Sequence, residues 1–266
     1  MNKKGVGNSY STICAKLCAV RWYHRNNAGY DPGVDAIHAI LLRGIRRFTS
    51  PVTKQSPLSV SLLRLIFRRM NLQHARMRLL WGGLLLGYFF LMRRSEYLFI
   101  GNRHHAYVLK LQGISFIDAV GRACKPHKAQ RVGITLLGAK NNQFGREEVR
   151  FHDKSGDTVI CPVAAARWII KGAHQFNTAP DQPALSTGRG AGITAKELAA
   201  TIKTAAREHG LDPARFSTHS WGATALLNAG ANRLAIKVMG RWLSSAFEEY
   251  PVLTAQGSSG LSKLMC

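Results

Sequence analysis

Acidic residues are the first scarcity of this chain: Asp and Glu number 14 against 37 Lys and Arg in 266 residues, a formal charge of +23 at neutral pH. A field of that sign attracts polyanions at long range, and nucleic acid is the natural partner. A membrane-surface protein would gather its basic residues on one amphipathic stretch or tail, whereas here they are spread over many predicted elements. Cysteine is also sparse. Cys14, Cys18, Cys124, Cys161 and Cys266 form no CxxC pair and no Cys/His cluster at zinc spacing. Reduced thiols in an intracellular protein, nuclear if the source is eukaryotic, are therefore expected in place of disulfides or a metal site. Acidic metal pairs, a P-loop and a Gly-rich dinucleotide loop are all missing, so no metal, nucleotide or other cofactor is implied. The longest apolar run, LLWGGLLLGYFFLM over 79–92, falls short of the roughly 20 residues of a membrane span and is bracketed by Arg78 and Arg93. It reads as a buried core helix, and the N-terminal MNKKGVGNSYS has no apolar signal-peptide region.

What is present is mostly helical periodicity. Ile13, Leu17 and Val20 predict a helix over 10–25, stopped by Asn26-Asn27-Ala28-Gly29. A second, over 34–48, places Ile37, Ile40, Leu41 and Ile45 on one side and Arg43, Arg46 and Arg47 on the other. Two helices bury little, so 1–50 is expected to be part of a larger helical domain or a small cap. The Pro/Ser/Thr content around 51–57 reads as a linker, with a second domain over 58–266. That domain opens with a helix over 58–70 whose Leu62, Leu65 and Ile66 face inward and Arg64, Arg68 and Arg69 outward. Alternating segments at 107–109 and 115–117 suggest a hairpin around Gln112-Gly113, and 132–136 and 148–151 a second strand pair. Helices over 161–170, with Pro162 in the first turn, and over 194–209, capped by Thr194, complete the pattern. The expected class is α+β, mostly α-helical with a small antiparallel sheet.

The most informative stretch is FSTHSWGATALLNAGANRLAIKVMGRWLSSAFEEY, 216–250. A histidine opens an Ala/Leu-rich helix, a glycine break and a second short apolar helix follow, and Gly240-Arg241-Trp242 precedes Tyr250. Upstream, Arg93-Arg94-Ser95-Glu96 follows the buried helix, and Ala139-Lys140-Asn141-Asn142 joins the second strand pair. This order resembles the catalytic domain of the tyrosine recombinase (phage integrase) family, in the motif style of recombinases of eukaryotic mobile elements, over about 57–250. Residues 1–50 are similar to the tail of that family's helical, SAM-like core-binding domain.

The resemblance implies double-stranded DNA as substrate, DNA recombination or integration, and strand cleavage and rejoining through a 3′-phosphotyrosyl intermediate, with a homotetramer on two duplexes. Such chemistry calls for a nucleophile that conserves the bond, cations on the non-bridging oxygens and a proton donor for the leaving 5′ hydroxyl. Residue by residue, the resemblance makes Tyr250 the nucleophile, Arg93 the first phosphate clamp, Lys140 the proton donor, His219 the assisting base, and Arg241 or Trp242 the occupant of the third position. A planar guanidinium suits paired phosphate oxygens. Arg43, Arg46, Arg47, Arg64, Arg68 and Arg94 are the candidate DNA-backbone contacts.

One departure bears on activity. The family's second box is His-x-x-Arg, because positions i and i+3 share a helix face. Here the residue three after His219 is Gly222 and the next is Ala223, as though a short piece had been lost. Arg215 and Arg233 lie nearby without the required spacing. The alternative class is a DNA-binding protein without catalysis, helix-turn-helix-like over 223–241 or a decayed recombinase. Losing one preorganised donor from such a site costs on the order of 10²–10³ in rate. The expected outcome is DNA binding with weak or no cleavage; turnover of a suicide substrate equal to that of an arginine-restored variant would refute it.

Overall fold

The computed structural model of the chain describes residues 7–49, 55–138, 147–218, 226–227 and 230–240. The chain divides into two compact units, 1–53 and 54–266, and the division falls within the Pro/Ser/Thr-rich stretch.

The first unit is a helix pair. Helix α1 (Tyr10–Asn27) begins where the Ser9 hydroxyl accepts from the Thr12 N–H, and α2 (Ala36–Phe48) where the Asp35 carboxylate accepts from the His38 N–H. Between them Asp31 accepts from Arg21 at 2.7 and 2.8 Å and also pairs with Arg25. These two guanidiniums hold the Asp31 carboxyl well below the usual carboxylate range. Arg46 stacks over the Tyr10 ring at 5.9 Å, joining α2 to α1. The expected apolar stripe on α2 is there, but Ile37, Ile40 and Leu41 are 75%, 67% and 60% exposed. Neither helix has a buried residue.

The second unit is built around α4 (Ala75–Phe89). Leu79 through Tyr88 are all buried, which is what a helix apolar on every side requires. Helix α3 (Val60–Arg68) adds Leu62, Leu63 and Ile66 to the same core; Leu63 is buried where Leu65, half-buried, was expected. Helix α6 (Pro162–Gln175) starts with Pro162 in its first turn and contributes Val163, Ala165, Ala166, Ile169 and Ala173. Helix α7 (Ala195–Glu208), capped by Thr194, contributes Leu198, Ile202, Ala205 and Ala206. Helices α4 and α6 approach each other closely. A Cβ on Gly82 would stand 2.7 Å from the Ala165 carbonyl oxygen, and one on Gly172 would stand 3.0 Å from that of Ala75.

A three-stranded antiparallel sheet, in the order β1-β2-β3, lies against this core. Its strands are β1 (Ile114–Ile117), β2 (Arg131–Leu136) and β3 (Glu148–Asp153). The β2–β3 pair is where the sequence places it. The hairpin expected around Gln112-Gly113 is not: Leu111–Gly113 is a 3₁₀ turn, and β1 pairs with β2 in the register Ile114↔Ile134 to Ile117↔Arg131. Gly113 lies against the Thr135 carbonyl, so the glycine marks a close approach and not a hairpin tip. Arg131 and Asp153 face each other across β2 and β3 and form a bidentate pair at 2.6 and 3.2 Å. A small ribbon, β4 (Ser186–Gly188) with β5 (Ala191–Gly192), precedes α7, and α8 (Arg233–Gly240) follows it. Among the described residues no helix is long and apolar enough to cross a membrane. The observed class is mostly helical with a small antiparallel sheet.

Because Gly82 meets α6 backbone, side-chain repacking cannot relieve a new methyl there. Gly82→Ala gains about 1 kcal/mol in helix propensity and loses about 1–3 kcal/mol to overpacking. The expected result is a net loss of stability in urea unfolding, and a neutral or stabilised variant would contradict the backbone contact.

Candidate active site

The exit from α4 positions Arg93. The Met92 N–H bonds the Gly87 carbonyl at 3.1 Å and Leu91 sits at φ +50°, which together close the helix in a Schellman turn. Glycine is the usual occupant of that left-handed position, and a leucine there costs on the order of 1–2 kcal/mol. Leu91 is nevertheless buried, and it packs with Ile236 of α8 in a small second core that Leu226, Leu227, Ala231 and Met239 border. The strained residue is thus the contact between the α4 exit and α8.

Arg93 then caps the single turn α5 (Arg94–Tyr97). The buried Glu96 carboxylate, 2% exposed, accepts from the Arg93 backbone N–H at 2.9 Å and from its guanidinium at 3.2 Å. Arg-x-Ser-Glu is therefore one unit: the acid fixes both ends of the arginine, whose side chain keeps 19% of its surface exposed. The neighbouring Arg94 is exposed. Tyr97 is buried below the turn, and burial, with Glu96 beside it, raises its phenol above the usual tyrosine range.

Two residues that sequence reasoning missed lie on β3. Its polar residues Glu148, Arg150 and His152 are part-buried while Val149 and Phe151 face out, the reverse of an ordinary surface strand. His152 Nε2 donates to the Phe89 carbonyl at 2.9 Å, which fixes its tautomer, and the ring lies against Phe90 with centroids 4.6 Å apart. Burial lowers the His152 pKa, partly offset by that carbonyl and by Asp153. Arg150 Nη2 donates to the Val238 carbonyl of α8 at 2.6 Å and to Glu148 at 2.8 Å. The strict polar alternation at 148, 150 and 152 was the available signal.

The approach to His219 is also fixed. A 3₁₀ turn, Pro213–Arg215, is capped by Asp212, the Arg215 carbonyl accepts from the Ser56 N–H at 2.5 Å, and Phe216 and Thr218 are buried. Lys140, in the β2–β3 connection, and His219, Arg241, Trp242 and Tyr250 lie outside the described residues. Of the candidate backbone contacts, Arg43, Arg46 and Arg47 are exposed on α2, and Arg64 and Arg68 on α3. Arg64 pairs with Asp157 at 2.6 Å. What the second unit brings together is the Arg93 turn, the base of the β2–β3 hairpin and α8.

No family model matches this chain, and no curated protein matches it. Among solved structures it is similar to the XerH site-specific recombinase bound to its difH substrate in a pre-cleavage complex, at 11% identity and a TM-score of 0.51 over 98% of this chain and 72% of that one. XerA recombinase is similar at 10% identity and a TM-score of 0.48 over 94% of this chain and 82% of that one. The fold is thus similar to that of tyrosine recombinase catalytic domains.

Removing the Glu96 carboxylate leaves Arg93 half-buried without the anchor of its backbone and head group. Glu96→Ala is expected to cost on the order of 3 kcal/mol, measured by denaturant unfolding. A loss below about 0.5 kcal/mol, the level of an exposed pair, would contradict the buried-anchor description.

Proposed function

We propose that the chain is a DNA-binding tyrosine recombinase or integrase-like protein acting as a DNA strand transferase, with double-stranded DNA as its partner and a homotetramer as its working assembly. The observation that carries this reading is Arg93: a guanidinium held at a buried bend by Glu96, part-exposed, in a fold similar to that of a recombinase solved on its DNA substrate. The basic surplus fits the same partner. A mobile-element origin and an intracellular, nuclear if eukaryotic, setting belong to the proposal and rest on the motif style and the scattered cysteines.

In this mechanism the Tyr250 phenol oxygen attacks the scissile phosphorus and its proton passes to His219. The bond from phosphorus to the 5′ oxygen breaks, and Lys140 protonates the departing hydroxyl. Arg93 holds the non-bridging oxygens, and Arg241 or Trp242 fills the third position beside them. The phosphotyrosyl bond conserves the energy for rejoining, so no cofactor is required. A second reading is favoured by one observation, Gly222 at the position where the second guanidinium is expected: the chain then binds DNA and does not cut it.

The deciding experiment incubates the protein with nicked duplex DNA and separates covalent adducts on a denaturing gel. An adduct lost in Tyr250→Phe supports strand transfer. Salt-sensitive DNA binding with no adduct supports the non-catalytic reading, and absence of DNA binding at low salt sinks both.

A further inference from the structure

Every α-helix leaves its last carbonyls without partners inside the helix. At the end of α4 the Leu86 and Gly87 carbonyls are taken by the Phe90 and Met92 N–H groups, and the Phe89 carbonyl is taken by His152. In the last described turn of α8 the Val238 carbonyl accepts from Arg150. The two donors are alternate residues on one face of β3, so about 7 Å of pleated strand separates their origins. The segments they bind lead in sequence to residues of the proposed site: Arg93 comes four residues after α4, and Arg241 and Trp242 are next in sequence after Gly240.

We infer that Arg150 and His152 are positioning residues, a two-pronged clasp on β3 that sets the separation between the Arg93 turn and the last described turn of α8. The meaning of that separation rests on the strand-transfer reading above; its existence rests on geometry alone. Three details distinguish the clasp from incidental surface polarity. Arg150 keeps only 11% of its side chain exposed, and Glu148 accepts from the same Nη2 that bonds Val238. His152 lies between two aromatic rings, Phe89 at 5.8 Å and Phe90 at 4.6 Å between centroids. The contact between Leu91 and Ile236 then joins the α4 exit to α8 directly. The polar face of β3 is turned inward where two helix carbonyls accept from it.

Hydrogen exchange on the full chain tests the clasp without requiring activity. His152→Phe keeps the ring and removes the donor; it should speed exchange of the Phe90 and Met92 amides about ten-fold, the equivalent of one lost hydrogen bond, and leave 233–240 unchanged. Arg150→Met should do the reverse, speeding 233–240 and sparing the α4 exit. His152→Gln and Arg150→Lys, which keep a donor, should return each segment toward its original rate. The inference is overturned if neither segment changes, or if all slowly exchanging amides of the second unit accelerate together, as a plain loss of global stability would produce. The nicked-DNA assay on the same variants reads the consequence. Where the unsubstituted chain forms adduct, the two donor-removing variants should form it on the order of 10²-fold more slowly, with DNA affinity kept. An unsubstituted chain that forms none counts against strand transfer alone, and exchange still decides the clasp.

Discussion

The constraint on which the second unit depends is that α4 has no polar side from Leu79 to Tyr88. A helix whose whole circumference is apolar must be covered all round, and α3, α6, α7 and the sheet all contribute to the one core that contains it. Two glycines bring α4 and α6 to backbone contact. A helix that deeply placed has a fixed end, and the fixed end is what makes the Schellman turn at Leu91 useful. The turn redirects the chain sharply, in one residue, out of the helix to the part-exposed Arg93. The strain at Leu91 is offset because its side chain belongs to the second core with Ile236.

Charge follows a related logic. Most of the acids among the described residues are occupied locally. Asp31 ties Arg21 and Arg25, Asp35 and Asp212 cap turns, Asp118 accepts the Val120 and Arg122 amides, and Glu197 and Glu208 hold Arg76 and Arg69. Asp157 accepts the Ile160 and Val159 amides and faces Arg64, and these together hold its carboxyl below the usual range. Acids engaged in this way shape the backbone, while the excess of cations sets the sign of the surrounding field. That field extends only about a Debye length in physiological salt, so it guides a polyanion to the surface without choosing a sequence.

Much of the fold was legible because it rests on local periodicity. The 79–92 run announces a central helix, Thr194 and Pro162 mark helix starts, and the strand pair 132–136 with 148–151 alternates cleanly. The false hairpin at Gln112-Gly113 shows where that legibility ends. A strand reveals its alternation but not its partner, and β1 finds its partner beyond a long loop that Arg167 pins by donating to the Pro126, His127 and Ala129 carbonyls. The stripe on α2 was readable, but its exposure was not, since periodicity says which residues share a side and nothing about what covers it. On β3 the ordinary rule that polar residues face water hid Arg150 and His152, whose solvent is replaced by helix carbonyls. For the candidate site, Arg93 and its acid were legible as a motif. Lys140, His219, Arg241, Trp242 and Tyr250 stand on the resemblance and lie outside the described residues.

The contact at Gly82 has a mechanical consequence. Where two backbones touch, no rotamer lies between them, so the spacing of α4 and α6 is set by covalent geometry and cannot drift with side-chain motion. The contacts with α8 are of the other kind, a guanidinium from Arg150 and the packing of Leu91 on Ile236. Side chains can change rotamer where touching backbones cannot, so the α4–α6 spacing is the stiffer of the two and the α4–α8 spacing the one that gives.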